Sequence, residues 1–432
     1  MLAFAVANLA GAVLLALPWS SGTGESVGPV TALFTATSAL CVTGLAVVDT
    51  GTAWSGFGQV VILGLVQLGG LGITTLAALL AVVVSRRLGL RSRLLAQTET
   101  GALDLGSVRL LVRRIVAFSL AFEAVGAVLL TALFWAVHHQ DLASAAWNGV
   151  FHAVSAFNNA GFSPFADNLV SFNADPPLLL VVSVLVIAGG IGFPVLSELF
   201  GPDWRRPRRW TLHTRMTVAT TLALLVSGTV VFLALEWSNS ATLGPMSVLD
   251  KLTNAWFGSV TPRTAGFNTV DYSQVRSPTL LLTMGLMLIG GGSVSAAGGL
   301  KVTTFALLGF VIWSELRGER DVDAFGRRIP SGAQRQALSI ALLYVGAAVA
   351  ATFVLGVFDS HDLGTTAFEA VSALGTVGLS TGVTGSYSDP GQLVLTGLMF
   401  IGRVGPATVG AALVLRSRDR LYRNPEGRPL VG

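Results

Sequence analysis

Apolar residues in this chain gather into stretches of two lengths, separated by short polar connections. The long ones lie near 57–84, 110–137, 177–200, 212–235, 279–313, 336–358 and 391–415. Each holds the roughly 20 apolar residues that carry a helix across about 30 Å of hydrocarbon. An eighth, 2–18, is shorter. The short stretches, about 29–41, 142–157, 246–260 and 363–374, fall between successive pairs of long ones. They are too short to span, so they predict re-entrant half-helices. Phe151, Val154 and Phe157, or Leu363, Ala367 and Ala370, carry the helical spacing.

Each short stretch runs into one glycine flanked by small or β-branched residues: Val42-Thr43-Gly44, Asn159-Ala160-Gly161, Thr264-Ala265-Gly266 and Thr376-Val377-Gly378. The glycines are 117, 105 and 112 positions apart, so a unit of about a hundred residues recurs. The expected fold is an all-α polytopic membrane protein. Four pseudo-symmetric helix, pore-helix, helix repeats, 1–90, 91–203, 204–325 and 326–432 with a cytoplasmic C-terminal tail, would surround one central pore.

Composition agrees with a bilayer. Of 432 residues, 52% are hydrophobic and 12% charged, with mean hydropathy +0.69, whereas a soluble domain carries about 25% charge. The net charge of +4 does not point to nucleic acid, because the basic residues follow topology. Segments 86–114, 205–215, 317–335 and 416–428 hold 22 of the 27 Lys and Arg, which places them on the cytoplasmic side. Segments 20–56, 138–176 and 359–390 hold none and face outward, as does 236–278 with Lys251, Arg263 and Arg276. Eight spanning helices result. Residues 2–18 lack a positive n-region and are expected to stay as the first helix rather than be cleaved as a signal peptide. The single Cys41 excludes a disulfide framework and a cysteine metal site.

Extended backbone at membrane depth is tolerated where it lines a water-filled path, and there its carbonyls replace an ion's hydration shell. Glycine permits the required dihedrals, and half-helix C-termini add partial negative charge. A lone glycine would read as a helix C-cap. Four in register read as a filter.

At these residues the chain resembles the Trk/Ktr/HKT superfamily of potassium transporters, along nearly its whole length. Ser259-Val260-Thr261-Pro262-Arg263-Thr264-Ala265-Gly266-Phe267-Asn268-Thr269 looks like the family's third filter, and Thr376-Val377-Gly378 is similar to the potassium-channel filter. Starting directly with the outer helix of the first repeat, the chain looks most like the Ktr-type membrane subunit. The resemblance implies potassium preference, because all four filter positions are glycine; a second glycine, as in the full channel signature, is absent. It also implies transported K+ with Na+ as a candidate activating ion, a homodimer with one pore per protomer, membrane lipid around it, and a separate cytosolic nucleotide-binding regulatory ring. No cofactor belongs to this chain, which has no G-x-G-x-x-G fold of its own.

In the third returning stretch, Gly290-Gly291-Gly292-Ser293-Val294-Ser295-Ala296-Ala297-Gly298-Gly299 is too glycine-rich for a helix interior, at roughly 1 kcal/mol per glycine. The resemblance makes it an intramembrane gating loop. Gly69-Gly70-Leu71-Gly72 and Gly189-Gly190-Ile191-Gly192 read instead as close helix packing. Arg403 lies deep in the last apolar stretch, where a charge costs about 2.5 to 3.5 kcal/mol, so it is expected to face the pore or a partner; the resemblance, with an arginine beside the gating loop, implies an electrostatic barrier that holds the closed loop. Asp49, Asp167 and Asp271 follow their glycines by 5, 6 and 5 residues and suit either a cation-gathering mouth or solvated loops. Partners for Glu123, Glu198 and Glu369 are not readable. The five histidines, His138, His139, His152, His213 and His361, have no metal spacing, and no catalytic set converges, so an enzyme is excluded. An alternating-access cation symporter is the rival reading, since carriers also use broken helices; parallel rather than inverted repeats favour the pore.

Overall fold

The computed structural model describes residues 2–71 and 105–415. The basic residues at 86–104 and 416–428, the inner end of the stretch 57–84, Gly72 and the first repeat boundary lie outside the described residues.

The described apolar stretches are helical: α1 (Leu2–Ala16), α2 (Pro29–Leu40), α3 (Thr50–Ala53), α4 (Gly56–Gly70), α5 (Leu105–Ala136), α6 (Leu142–Phe157), α7 (Pro176–Ile191), α8 (Phe193–Leu199), α9 (Leu212–Glu236), α10 (Val248–Val260), α11 (Ser277–Leu288), α12 (Val302–Arg317), α13 (Ser331–Phe358), α14 (Leu363–Gly375) and α15 (Asp389–Leu415). The short helices begin where the local chemistry starts a helix. Asp141 and Asp362 accept hydrogen bonds from the amides of Ser144 and Gly364, Ser247 from that of Asp250, and α2 opens on Pro29.

Of the eight expected spans, Val112–Ala136 of α5, α9 and α13 are each long and apolar enough to cross a membrane, and α7 with α8 qualifies as a bent pair. These helices turn apolar side chains outward. Val125 and Val128 on α5, Leu222, Val226 and Val230 on α9, and Leu342, Val349 and Phe353 on α13 are exposed, a surface suited to lipid.

The packing order positions the site. Helix α2 packs on α1 and α4, α6 on α5 and α7, α10 on α9, and α14 on α13 and α15. Each short helix also touches the returning helix one unit earlier: α6 on α4, α10 on α7, α14 on α11, and α2 on α15. The last contact closes the circle.

The fold is all-helical as expected, with one small addition, an antiparallel hairpin of β1 (Asp323–Ala324) and β2 (Arg327–Arg328). Its tip, Phe325-Gly326, has positive φ at both residues, the twist that two-residue hairpins favour, and Val322, Ala324 and Ile329 bury against Leu307, Phe310 and Val311. One expectation is corrected, at Gly192. Rather than packing within a helix, it adopts φ 104° and ends α7, and α8 leaves at 109° to it. A residue with a β-carbon is strongly disfavoured at that dihedral.

Candidate functional site: a ring of four glycines and the loop beneath it

Each short helix gives way to backbone of the same unusual shape. Two residues before each glycine, Val42, Asn159, Thr264 and Thr376 adopt φ of 57°, 56°, 72° and 50°, and Gly44, Gly161, Gly266 and Gly378 follow at 91°, 70°, 74° and 94°. Positive φ at a β-branched residue is strained by about 1 to 3 kcal/mol, and such strain gathers at functional sites. Positive φ recurs at one register in all four segments, and three of the four, Val42, Thr264 and Thr376, are β-branched.

The glycines touch one another in a closed order. A β-carbon on Gly44 would overlap the carbonyl oxygen of Ala160; on Gly161 it would stand 2.7 Å from that of Ala265; on Gly266 it would meet that of Val377; on Gly378, that of Thr43. Each carbonyl belongs to the residue just before the neighbouring glycine. Thus the residues expected to act together, from Val42 to Gly378, meet as four strands of backbone at the C-terminal ends of four helices, where the partial charge is negative.

Hydroxyls behind the ring hold this shape, and the sequence reading missed them. Six positions before the glycine, Ser38 and Ser155 donate to the carbonyls of Leu45 and Phe162 at 2.7 and 2.8 Å. Ser38 and Ser372 also accept from the amides of Gly44 and Gly378 at 3.1 Å. In the third segment Thr261, five positions before, bonds the carbonyl of Phe267 instead. The shared offset of the three serines was the available signal. A second regularity supports the ring from the side: β-carbons on Gly69, Gly189 and Gly402 would overlap the carbonyls of Leu40, Phe157 and Leu374, each four residues before a ring glycine. For Gly69 and Gly189 this is the close packing expected.

Beyond the glycines lies a cavity of about 430 Å³ lined by Gly44, Gly266, Gly378, Asn168, Asp167 and Asp271. An adjoining one of about 310 Å³ is lined by Gly44, Gly161 and Asp49. The three acids therefore share the mouth, although each also binds local backbone, from Thr52, Ser171 and Ser273. Asn168, not anticipated, donates its amide to the Gly161 carbonyl at 3.1 Å.

On the other side, residues 289–301 interrupt α11 and α12 as expected. Gly290 donates to Leu300 O (2.8 Å) and Val302 to Gly291 O (3.0 Å), closing the loop at its base. Its body leans on the α7–α8 break: Gly292 donates to Gly190 O (2.8 Å), Ala296 to Gly189 O (3.2 Å), and Phe193 to Val294 O (3.0 Å). Gly291 and Gly292 have no room for a β-carbon against Gly190 and Ile191, and Gly298 abuts the Thr376 hydroxyl at the start of the fourth strand. Ser295 donates to Gly292 O at 2.7 Å, Ser293 pairs with Thr303 at 3.3 Å, and Gly299 turns with φ 64°. Arg403, 8% exposed, reaches from α15 and donates to Ala296 O of the loop and to Gly69 O of α4, the latter at 2.6 Å.

The acids without assigned partners find them. Glu123 accepts from Gln67 and Asn158, both at 3.0 Å. Glu369 accepts from Ser380, Thr381 and Thr384, and Glu198 from the Thr211 amide.

The family described as TrkH, cation transport protein, matches residues 6–419. The chain belongs to the TrkH cation transport family. It is a multi-pass membrane transport protein and not an enzyme. It is similar to the Ktr system potassium uptake protein B of Bacillus subtilis (strain 168), 39% identical over 429 residues that cover 99% of this chain and 95% of that one. It is also similar to the potassium/sodium uptake protein NtpJ of Enterococcus hirae, 37% identical with 99% and 95% coverage. In fold it is similar to the potassium transporter TrkH from Vibrio parahaemolyticus, with TM-score 0.72 at 19% identity, covering 95% of this chain and 82% of that one.

Proposed function

We propose that this chain takes up potassium across the cytoplasmic membrane through a channel-like pore, with the glycine ring as filter and residues 290–299 as gate. The single observation that carries this reading is the closed contact order of Gly44, Gly161, Gly266 and Gly378. Four backbone strands that meet at helix C-termini offer carbonyls in place of water to a dehydrated cation. The relatives' names, potassium uptake for one and potassium/sodium uptake for another, support K+ as cargo and Na+ as an activating ion. Eight spans in the four repeats 1–90, 91–203, 204–325 and 326–432 supply the frame.

Gly290, Gly291, Gly292, Ser293, Ser295, Gly298 and Gly299 form the gate in this reading, and Arg403 holds it closed by its bonds to Ala296 and Gly69. The subunit works as a homodimer in lipid, one pore per protomer, under a cytosolic nucleotide-binding regulatory ring; the word "system" in a relative's name fits a multi-subunit assembly. The bend at Gly192 and the break at 289–301 favour an alternating-access symporter as second reading, since carriers bind cargo at broken helices. The fourfold ring weighs against it.

Expression in cells lacking potassium uptake tests the proposal, together with K+ flux into liposomes. Growth at low K+ is the expected outcome; no rescue and no flux would overturn it.

A further inference from the structure

Counting from each ring glycine, the residue nine places earlier is Thr35, His152, Phe257 or Glu369, and the residue two places later is Ala46, Ser163, Asn268 or Ser380. In the second and fourth segments these positions meet. The His152 ring nitrogen Nε2 lies 3.0 Å from Ser163 Oγ, and Ser380 Oγ donates to Glu369 Oε1 at 2.6 Å. Both inner side chains are fully buried. His152 Nδ1 faces the Asn148 carbonyl at 2.8 Å, which can only accept, so Nδ1 carries the proton and neutral Nε2 accepts from the serine. Glu369 accepts further bonds from the Thr381 amide (3.0 Å) and Thr384 Oγ1 (2.8 Å), the pairing a buried carboxylate requires.

The other two segments lack this link. The buried Thr35 hydroxyl has no hydrogen-bond partner and Ala46 offers none; Phe257 cannot bond, and Asn268 turns its amide to Val270 O at 3.1 Å. Since the contact order is Gly44, Gly161, Gly266, Gly378 and back to Gly44, the linked segments stand diagonally across the ring.

We propose that His152–Ser163 and Glu369–Ser380 are paired diagonal braces that hold two opposite filter strands at fixed separation and thereby set discrimination between K+ and Na+. The proposal rests on the filter reading above. His152 and Glu369 are positioning residues: they reach the ion path through the serines, and neither supplies a carbonyl to it. The braced strands fix one diameter of the ring, while the other diagonal relies on Ser38 and Thr261 alone.

The test uses the full chain in liposomes, with K+ and Na+ flux measured separately. S163A and S380A are each expected to lower the K+/Na+ ratio by about fivefold, and the double variant by more than either. S163T and S380T, which keep the hydroxyl, are expected to retain the ratio, and T35V to leave it unchanged. If S380A does not assemble, S380C keeps the volume and weakens the donor. Alanine variants that elute and melt like the parent yet keep the ratio within about twofold would overturn the braces. G44S separates the two failures. If G44S lowers the ratio while the serine variants do not, only the braces are wrong; if G44S also leaves it intact, the filter reading itself is wrong.

Discussion

The ring and the loop beneath it are both glycine-rich, non-helical backbone inside the bundle, but they are held in opposite ways. Ring strands are tied to their own short helices, by Ser38, Ser155, Thr261 and Ser372 a few residues away. Beyond its closed base, the loop is tied to other elements, to Gly189, Gly190 and Phe193 and through Arg403 to α15 and α4. Local ties survive when helices shift; distant ties break when they do. The first kind suits a filter and the second a gate.

The largest expected effect comes from putting a side chain into the ring. G378A places a β-carbon on the Thr43 carbonyl at φ 94°, and K+ flux in liposomes should fall by about a hundredfold or more. If flux persisted, the ring would be less rigid than its local ties imply. Next comes R403A, which removes two hydrogen bonds from a charged donor, each worth about 1.5 to 3 kcal/mol. Basal K+ flux without any regulatory partner should rise by about tenfold, with R403K between the two; unchanged flux and gating would show that the loop is held by its other bonds alone. S372A should be milder. Loss of the bond to the Gly378 amide should lower the K+/Na+ flux ratio by about threefold and leave basal gating alone, separating the ring from the loop in one assay. The smallest effect belongs to the mouth. D167N with D271N should reduce flux by about twofold at low ionic strength and not at about 0.5 M salt, where exposed charges are screened.

Much of this arrangement is legible in the sequence because it is repeated there. The four glycines, the short helices and the loop at 290–299 all follow from length, periodicity and glycine density. The ties among them do not. Ser38, Ser155 and Ser372 stand at one offset, yet a serine in a helix is common enough to carry no weight until its hydroxyl is seen on a strand carbonyl. Gly192 looks like its neighbours Gly189 and Gly190, and only the tertiary path of α8 singles it out as the bend. The hairpin at 323–328 is two residues deep on each side, too short for any alternation to register. Arg403 shows the converse. Its cost in hydrocarbon marked it as partnered, but which carbonyls it meets depends on elements over a hundred and over three hundred residues away.

The bend at Gly192 gives α8 a mechanical character. At one end, the Phe193 amide holds the Val294 carbonyl of the loop; at the other, Glu198 holds the Thr211 amide, beside the arginines at 205–215. The two grips lie five residues apart on the seven-residue helix, about 7.5 Å along its axis. Helix α8 is thus a short strut with both ends fastened, one to the loop and the other beside the arginine-rich surface.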